Sequence, residues 1–124
     1  MIFIVIDDDE ELFTLFSSAV EIILGTTDMS VIWCQNVEEL NNFFQKIVQG
    51  SKKEYCFIVD YNMPQLRFED AIECIRLQSQ NSKVFVEIIA TSGNPHNEDK
   101  MIAAGAGRFV GRHDFIKFLM EKKQ

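Results

Sequence analysis

Short apolar runs alternate along this chain with longer segments in which apolar residues recur every three or four positions. The first run, Ile2–Ile6, is apolar throughout, which is typical of a strand buried on both faces of a parallel sheet. Comparable runs predict four more strands, over 30–34, 55–59, 84–90 and 108–110. The pattern therefore predicts five short and largely buried strands.

Segments with helical spacing fill the gaps between these strands. The segment 10–24 carries an apolar stripe, begins after Asp9, which can cap a helix, and ends at Gly25. Similar stripes predict further helices over 37–48, 68–75, 97–104 and 114–122. Strands that alternate with helices favour an α/β fold, in which right-handed crossovers build a parallel sheet with helices on both faces.

Composition narrows the class of protein. The chain has 124 residues, 47% of them hydrophobic and 25% charged, which suits a single domain over 1–124 with a packed core. Twelve Lys and Arg stand against nineteen Asp and Glu, and this excess of negative charge argues against a direct nucleic-acid partner. Without a secretory leader or a stretch of about 20 apolar residues, we expect a cytoplasmic protein with no membrane contact. The three cysteines, which lack CxxC spacing, are expected to be reduced and mostly buried.

Acidic residues follow two of the predicted strands. Asp7 and Asp8 follow the first strand and Asp60 follows the third. Ligands of open parallel sheets bind beyond the carboxyl ends of the strands, so these acids share one crevice if the two strands are neighbours. A proton or a divalent cation would then relieve their mutual repulsion, and a set of oxygen ligands favours Mg²⁺, with Mn²⁺ as a substitute. Asp7 and Asp8 alone also fit helix capping and loop solvation, whereas Asp60 follows five apolar residues, where a purely structural carboxylate is out of place.

The remaining strand ends add hydroxyls and a cation. Thr91 and Ser92 follow the fourth strand, and Arg112 follows the fifth. A metal ion and a cation can balance the charge of a phosphoryl group, a hydroxyl can donate a hydrogen bond to it, and a carboxylate can act as nucleophile. The combined set therefore indicates phosphoryl chemistry.

The same segments resemble the receiver domains of response regulators, the CheY-like group of two-component signalling. The resemblance covers essentially the whole chain and is carried by Ile4–Asp9, Ile58–Pro64, Ile88–Gly93 and Gly105–Arg112. It implies a flavodoxin-like, doubly wound sheet of five parallel strands in the order 2-1-3-4-5.

The resemblance assigns roles to the acidic residues. Asp60 would accept a phosphoryl group from a histidine kinase or a histidine phosphotransfer protein. Asp8, Asp60 and the backbone carbonyl of Asn62 would bind Mg²⁺, and Asp7 would hold a metal-bound water.

Further roles follow for the hydroxyl, the cation and an aromatic residue. Ser92 would hydrogen-bond the phosphoryl oxygen, with Thr91 as the alternative if the alignment shifts by one residue. Arg112 stands where the family has lysine, and Phe109 would be the aromatic residue whose rotamer follows the switch. Two further departures are His113 in place of proline and Phe68 in place of glycine.

The resemblance implies a signalling switch, with slow self-dephosphorylation, rather than an enzyme. Phosphorylation would change the face formed by the fourth helix, the fifth strand and the fifth helix, which would bind a downstream protein target or a second copy of the chain. One alternative is a degenerate pseudo-receiver that binds partners without phosphorylation. A haloacid-dehalogenase-type phosphatase is a weaker alternative, because that chemistry requires an aspartate where this chain has Asn62.

Overall fold

The computed structural model describes residues 1–25 and 30–123. Within these ranges the strands are β1 (Ile2–Ile6), β2 (Ser30–Cys34), β3 (Tyr55–Asp60), β4 (Val86–Thr91) and β5 (Arg108–Phe109). The helices are α1 (Glu10–Leu24), α2 (Val37–Gln45), α3 (Phe68–Ser82), α4 (Glu98–Ala103) and α5 (Phe115–Lys123). Short 3-10 turns at Pro95–Asn97 and Arg112–Asp114 lead into α4 and α5.

The strands form one parallel sheet in the order β2-β1-β3-β4-β5. This order confirms the predicted doubly wound fold and places β1 directly beside β3. The central strand β3 is buried along its whole length, which explains why its sequence shows no polar alternation.

Alternate side chains of the strands build two hydrophobic cores, one on each face of the sheet. Ile4 and Ile6 of β1 join the core covered by α2, α3 and α4, whereas Phe3 and Val5 join the core covered by α1 and α5. This division follows from the two-residue repeat of a strand. The predicted placement of helices on both faces is therefore confirmed.

Helix α1 has the predicted bounds, and its ends show why. The side chain of Asp9 accepts a hydrogen bond from the Glu11 amide at 3.1 Å and so caps the first turn. Gly25 has a φ of 79°, which glycine adopts without strain, and its amide donates to the Glu21 carbonyl.

Three predicted boundaries were wrong, the first being the end of α3, which lies at Ser82 rather than at residue 75. Helix α2 ends at Gln45 rather than at residue 48, because the chain turns there and Ile47 reaches the core from outside the helix, which prolongs the apolar pattern. Strand β4 begins at Val86 rather than at residue 84, because the Val84 amide donates to the Ser79 carbonyl in the turn after α3. Apolar residues that pack from turns thus lengthen an element predicted by pattern alone.

The cysteines have the state that the sequence predicts. Cys34, Cys56 and Cys74 are free thiols, the first two buried and the third half-buried, as predicted. In the part of the chain that the structure describes, no helix has the length and apolar character needed to cross a membrane.

Candidate functional site

The sheet order brings the predicted site residues to one edge of the molecule. Ile6 of β1 pairs with Val59 of β3, so Asp7 and Asp60 are the next residues on neighbouring strands. Asp60 in turn pairs with Thr91 at the end of β4. Asp7 is only 2% exposed and Asp60 only 1%, so both carboxyl groups lie in a buried crevice.

Asp60 forms an ion pair with the arginine that follows β5. Its Oδ2 accepts a hydrogen bond from Arg112 Nη2 at 3.0 Å, whereas Oδ1 is buried and has no hydrogen-bond partner among the described residues. Burial raises the pKa of Asp60, while the hydrogen bond and charge of Arg112 act in the opposite direction. One oxygen of this carboxylate is therefore bonded to a cation, and the other is left available for a further partner.

Asp7 is a strongly perturbed acid at the end of β1. Burial, and then the negative charges of Asp60 and Asp8, raise its pKa to about 7, although a hydrogen bond from the Asp9 amide lowers it. The Asp7 carbonyl accepts a 2.8 Å hydrogen bond from the indole Nε1 of Trp33 on β2. This contact fixes the backbone of the acidic loop against the neighbouring strand.

Asp8 lies nearer the surface of the same loop. It is half-buried, and its Oδ2 accepts a 3.4 Å hydrogen bond from the backbone amide of Gln65, which belongs to the loop between β3 and α3. Asn62 is exposed in that loop, two residues beyond Asp60. The β1 and β3 ends are therefore connected through this loop as well as through the sheet.

The donors at this edge fit Mg²⁺ in chemistry. Carboxylate and carbonyl oxygens are its preferred ligands, and a cation would satisfy the unpartnered Oδ1 of Asp60 and relieve the repulsion that raises the pKa of Asp7. Within residues 1–25 and 30–123, no three His, Cys, Asp or Glu side chains are grouped closely enough to form a metal site. Closing around an ion would therefore require the carboxylates to turn toward it.

The two hydroxyl side chains at the end of β4, those of Thr91 and Ser92, have different surroundings. Thr91 is fully buried beside Asp60, and its Oγ1 has no hydrogen-bond partner in the described chain. Ser92 Oγ instead accepts hydrogen bonds from the Asn94 amide at 3.0 Å and from Asn97 Nδ2 at 2.8 Å. Both bonds use Ser92 Oγ as an acceptor, so both hydroxyls keep a hydrogen free to donate, and the preference for Ser92 over Thr91 stays a prediction.

Residue spacing in the sequence could not show whether Thr91 or Ser92 lies on the same face as Asp60. Consecutive residues of a strand point to opposite faces, so the pairing of Thr91 with Asp60 decides which hydroxyl shares the carboxylate's face. Only the register between β3 and β4 supplies that information.

Arg112 and Phe109 border a cavity of about 300 Å³ next to the ion pair. Ser92, Gly93 and Glu98 line its other wall. Phe109 is half-buried and packs against the core, so its ring lies between the site and the interior. The Arg112 side chain is 28% exposed, and its Nε is buried without a hydrogen-bond partner among the described residues.

Phe68 begins α3 and changes the loop that follows β3. It is buried, and its ring centroid lies 5.0 Å from that of Tyr61. The preceding residue, Arg67, occupies the N-cap position without a side-chain hydrogen bond to the helix. An aromatic contact thus connects the end of β3 to the first residue of α3.

Sequence analysis missed two residues that order the site, Trp33 and Asn97. Trp33 lies at the end of the second strand, and a buried indole N–H usually finds an acceptor, which was the available signal. No feature of the sequence indicated Asn97, because its contact with Ser92 depends on the path of the loop.

Comparison with known proteins identifies the fold. No protein-family model matches the sequence, and a search of the curated proteins finds no match. The receiver domain of a histidine kinase from Arabidopsis thaliana, complexed with Mg²⁺, is similar in structure with a TM-score of 0.75 and 19% identity, over 98% of this chain and 90% of that one. The resemblance found in the sequence is thus confirmed at the level of the fold, which is that of response-regulator receiver domains.

Two bacterial structures are also similar to this chain in fold. The signal receiver domain of a DNA-binding response regulator from Colwellia psychrerythraea has a TM-score of 0.72 and 14% identity, over 98% of this chain and 94% of that one. The response regulator TrrA from Thermotoga maritima, in complex with Mg²⁺ and BeF, has a TM-score of 0.69 and 19% identity, over 99% and 98%.

Proposed function

We propose that this chain is a phospho-accepting signalling switch, which takes a phosphoryl group from a histidine kinase or a histidine phosphotransfer protein onto Asp60. The observation that carries the proposal is a set of three buried polar atoms without hydrogen-bond partners among the described residues. They are Asp60 Oδ1, Thr91 Oγ1 and Arg112 Nε. Buried polar atoms are nearly always paired, so three at one edge of a sheet indicate a missing partner.

A phosphoryl group on Asp60 supplies that partner. Its oxygens accept hydrogen bonds, which the Thr91 hydroxyl and the Arg112 Nε–H can donate. The free oxygen of Asp60 is the nucleophile, while Arg112 holds the other oxygen. Ser92 is the proposed phosphoryl ligand and Thr91 the alternative, because Ser92 lines the cavity beside Arg112 and its Oγ only accepts hydrogen bonds, which leaves its own hydrogen free to donate.

In the transfer step, Asp60 Oδ1 attacks phosphorus and a new O–P bond forms. The P–N bond to the donor histidine breaks, and its electron pair returns to the imidazole nitrogen. Asp8, Asp60 and the Asn62 carbonyl would hold Mg²⁺, Asp7 would hold a metal-bound water, and the bound ion would neutralise charge on the phosphoryl oxygens. The positive charge of Arg112 screens the carboxylate and then the added phosphoryl charge.

The proposal is tested by incubating the protein with acetyl phosphate and Mg²⁺ and measuring its intact mass. We expect the gain of one phosphoryl group, and its loss in Asp60→Asn. The matched control is Asp99→Asn, since Asp99 is exposed on α4 and makes no contact with the site. An unmodified wild-type protein, or a label that persists in Asp60→Asn, would contradict the proposal.

The ion pair also favours a second candidate, a pseudo-receiver that binds partners without phosphorylation. Arg112 already satisfies one oxygen of Asp60, as a permanent substitute for the metal ion would. This candidate predicts no mass gain and unchanged partner binding in Asp60→Asn. Turnover of a generic phosphomonoester would instead indicate a phosphatase.

The output surface is proposed to be the face of α4, β5 and α5, for a downstream target or a second copy of the chain. Exposed apolar side chains on its two helices support this assignment, namely those of Ile102, Ile116 and Met120. Such side chains favour burial against a partner.

A further inference from the structure

Trp33 of β2 lies against the acidic loop that follows β1, residues 7–9. It is half-buried and pairs with Val5 of β1, and its indole Nε1 donates a 2.8 Å hydrogen bond to the Asp7 carbonyl. The next residue of β2, Cys34, accepts a 3.2 Å hydrogen bond from the Asp7 amide through its carbonyl. Both backbone polar groups of Asp7 are therefore bonded to the end of β2.

The tryptophan contact extends beyond the pairing of the two strands. The paired residues of β1 and β2 end at Ile6 and Cys34, so the Asp7 carbonyl lies past the last pair, where the indole N–H supplies its donor. The ring of Trp33 is in turn stacked on Phe13 of α1, with centroids 5.5 Å apart and ring planes 16° from parallel. A side chain whose rotamer is fixed by packing on both its strand and a helix restrains the loop that it contacts.

The restrained backbone bears on which ion the site would take. Among the described residues the carboxylates are not grouped closely enough to form a metal site, so binding requires them to turn toward the ion. With the Asp7 backbone bonded on both sides, its carboxylate turns by side-chain rotation while the loop stays in place. Mg²⁺ is small and demands near-ideal octahedral coordination, whereas Ca²⁺ accepts more ligands in variable geometry, so a rigid loop favours Mg²⁺.

We infer that Trp33 is a positioning residue that sets the preference of the site for Mg²⁺ over Ca²⁺ by holding the Asp7 carbonyl. This inference rests on the proposed function, since it concerns the metal site that phosphoryl transfer would use, and it adds the selectivity of that site. Groups that orient metal ligands without touching the ion have large effects on metal affinity. Without the indole N–H, the loop can adjust to a larger ion and loses the fixed arrangement that Mg²⁺ needs.

The test compares Trp33→Phe with Phe13→Leu. Trp33→Phe removes the indole N–H and keeps an aromatic ring against Phe13, whereas Phe13→Leu removes the ring stack and keeps the hydrogen-bond donor. Both positions are half-buried, so both variants lose apolar contact, but only the first loses the bond to the loop. Trp33→Met, a second variant without the N–H, repeats the test if Trp33→Phe does not fold.

Isothermal titration calorimetry at constant ionic strength measures the affinity of each protein for Mg²⁺ and, separately, for Ca²⁺. We expect Trp33→Phe to weaken Mg²⁺ binding about tenfold or more, the loss typical of a group that orients metal ligands. The Ca²⁺ affinity should change much less, so the preference for Mg²⁺ over Ca²⁺ falls. Phe13→Leu should keep the wild-type preference, because a general loss of stability affects the binding of both ions alike.

The outcomes separate the two proposals. The inference alone is overturned if Trp33→Phe keeps the wild-type preference, if Phe13→Leu loses that preference equally, or if the wild type binds both ions with the same affinity. A wild type that binds neither ion would overturn the metal site of the proposed function together with this inference. The mass measurement with acetyl phosphate tests phosphoryl transfer to Asp60 separately.

Discussion

Asp60 has two oxygens in different surroundings, and that asymmetry defines the site at the residue scale. One oxygen is held by Arg112 at 3.0 Å and the other is buried without a partner among the described residues. The sequence pointed to Asp60 because an acid follows an apolar run, and to Arg112 because it follows the fifth strand. The ion pair between them depends on the approach of β3 and β5 ends in space, which spacing in the sequence does not report.

Replacing Arg112 should show how much the buried charge of Asp60 lowers the stability of the fold. We expect Arg112→Met to lower the free energy of unfolding at neutral pH by about 2 kcal/mol, because an uncompensated charge stays buried. In an Asp60→Asn background the same change should cost much less. Urea denaturation of the four proteins gives the coupling energy, and equal losses in both backgrounds would contradict the prediction.

The pKa of Asp7, about 7, predicts how stability depends on pH. An unfolded aspartate loses its proton near its ordinary value of 3.8, whereas folded Asp7 keeps it until about pH 7. The folded state therefore binds more protons in this window, so the Asp7 contribution to stability falls as pH rises and levels off above about pH 7.

Asp7→Asn removes this dependence. Without Mg²⁺, the variant should gain about 2 kcal/mol relative to the wild type between about pH 5 and about pH 7. Urea denaturation in the presence of a chelator measures the difference. A constant difference across that range would show that Asp7 titrates normally.

At the scale of elements, the apolar periodicity of the sequence predicted which helices and strands exist and their order along the chain. Packing determined where some of these elements end. Helix α1 has both a capping aspartate and a terminal glycine, and its predicted bounds were right. Helix α2 has its capping Asn36, whose side chain accepts from the Glu39 amide, but its C-terminal boundary depends on Ile47 packing from a turn. The caps at both ends of α1 therefore made its bounds predictable, whereas the end of α2 depends on tertiary packing.

Helix α3 lacks an N-terminal cap and offers a test of this point. Arg67→Asp would place a carboxylate at the N-cap, next to the positive end of the helix, and should raise the free energy of unfolding by about 1 kcal/mol. The lost Arg67–Glu69 ion pair is exposed and contributes little. Arg67→Ala is the control, which should not stabilise; equal stabilities of the two variants would argue against capping.

At the scale of the whole molecule, acidic charge and metal binding act together. The formal net charge is −7, so any cation lowers the general repulsion, but only an ion bound at the site stabilises the folded state specifically. The sheet order that creates this site was anticipated by the resemblance, and β1 beside β3 was a condition that the strand pattern left open.

Mg²⁺ should therefore raise the melting temperature more than Na⁺ does at equal ionic strength. Asp8→Asn should melt higher than the wild type without Mg²⁺, because one repulsive charge is gone, and should lose the specific effect of Mg²⁺. Scanning calorimetry measures both effects. An identical response of wild type and variant to Mg²⁺ would contradict the assignment of Asp8 as a ligand.

Trp33 is the single tryptophan of the chain, and its indole N–H is bonded to the Asp7 carbonyl while its ring stacks on Phe13 with centroids 5.5 Å apart. The protein consequently carries its own fluorophore at the acidic loop. Changes in emission will follow events at that loop in the unmodified chain, so ion titrations and rapid-mixing kinetics need no added dye.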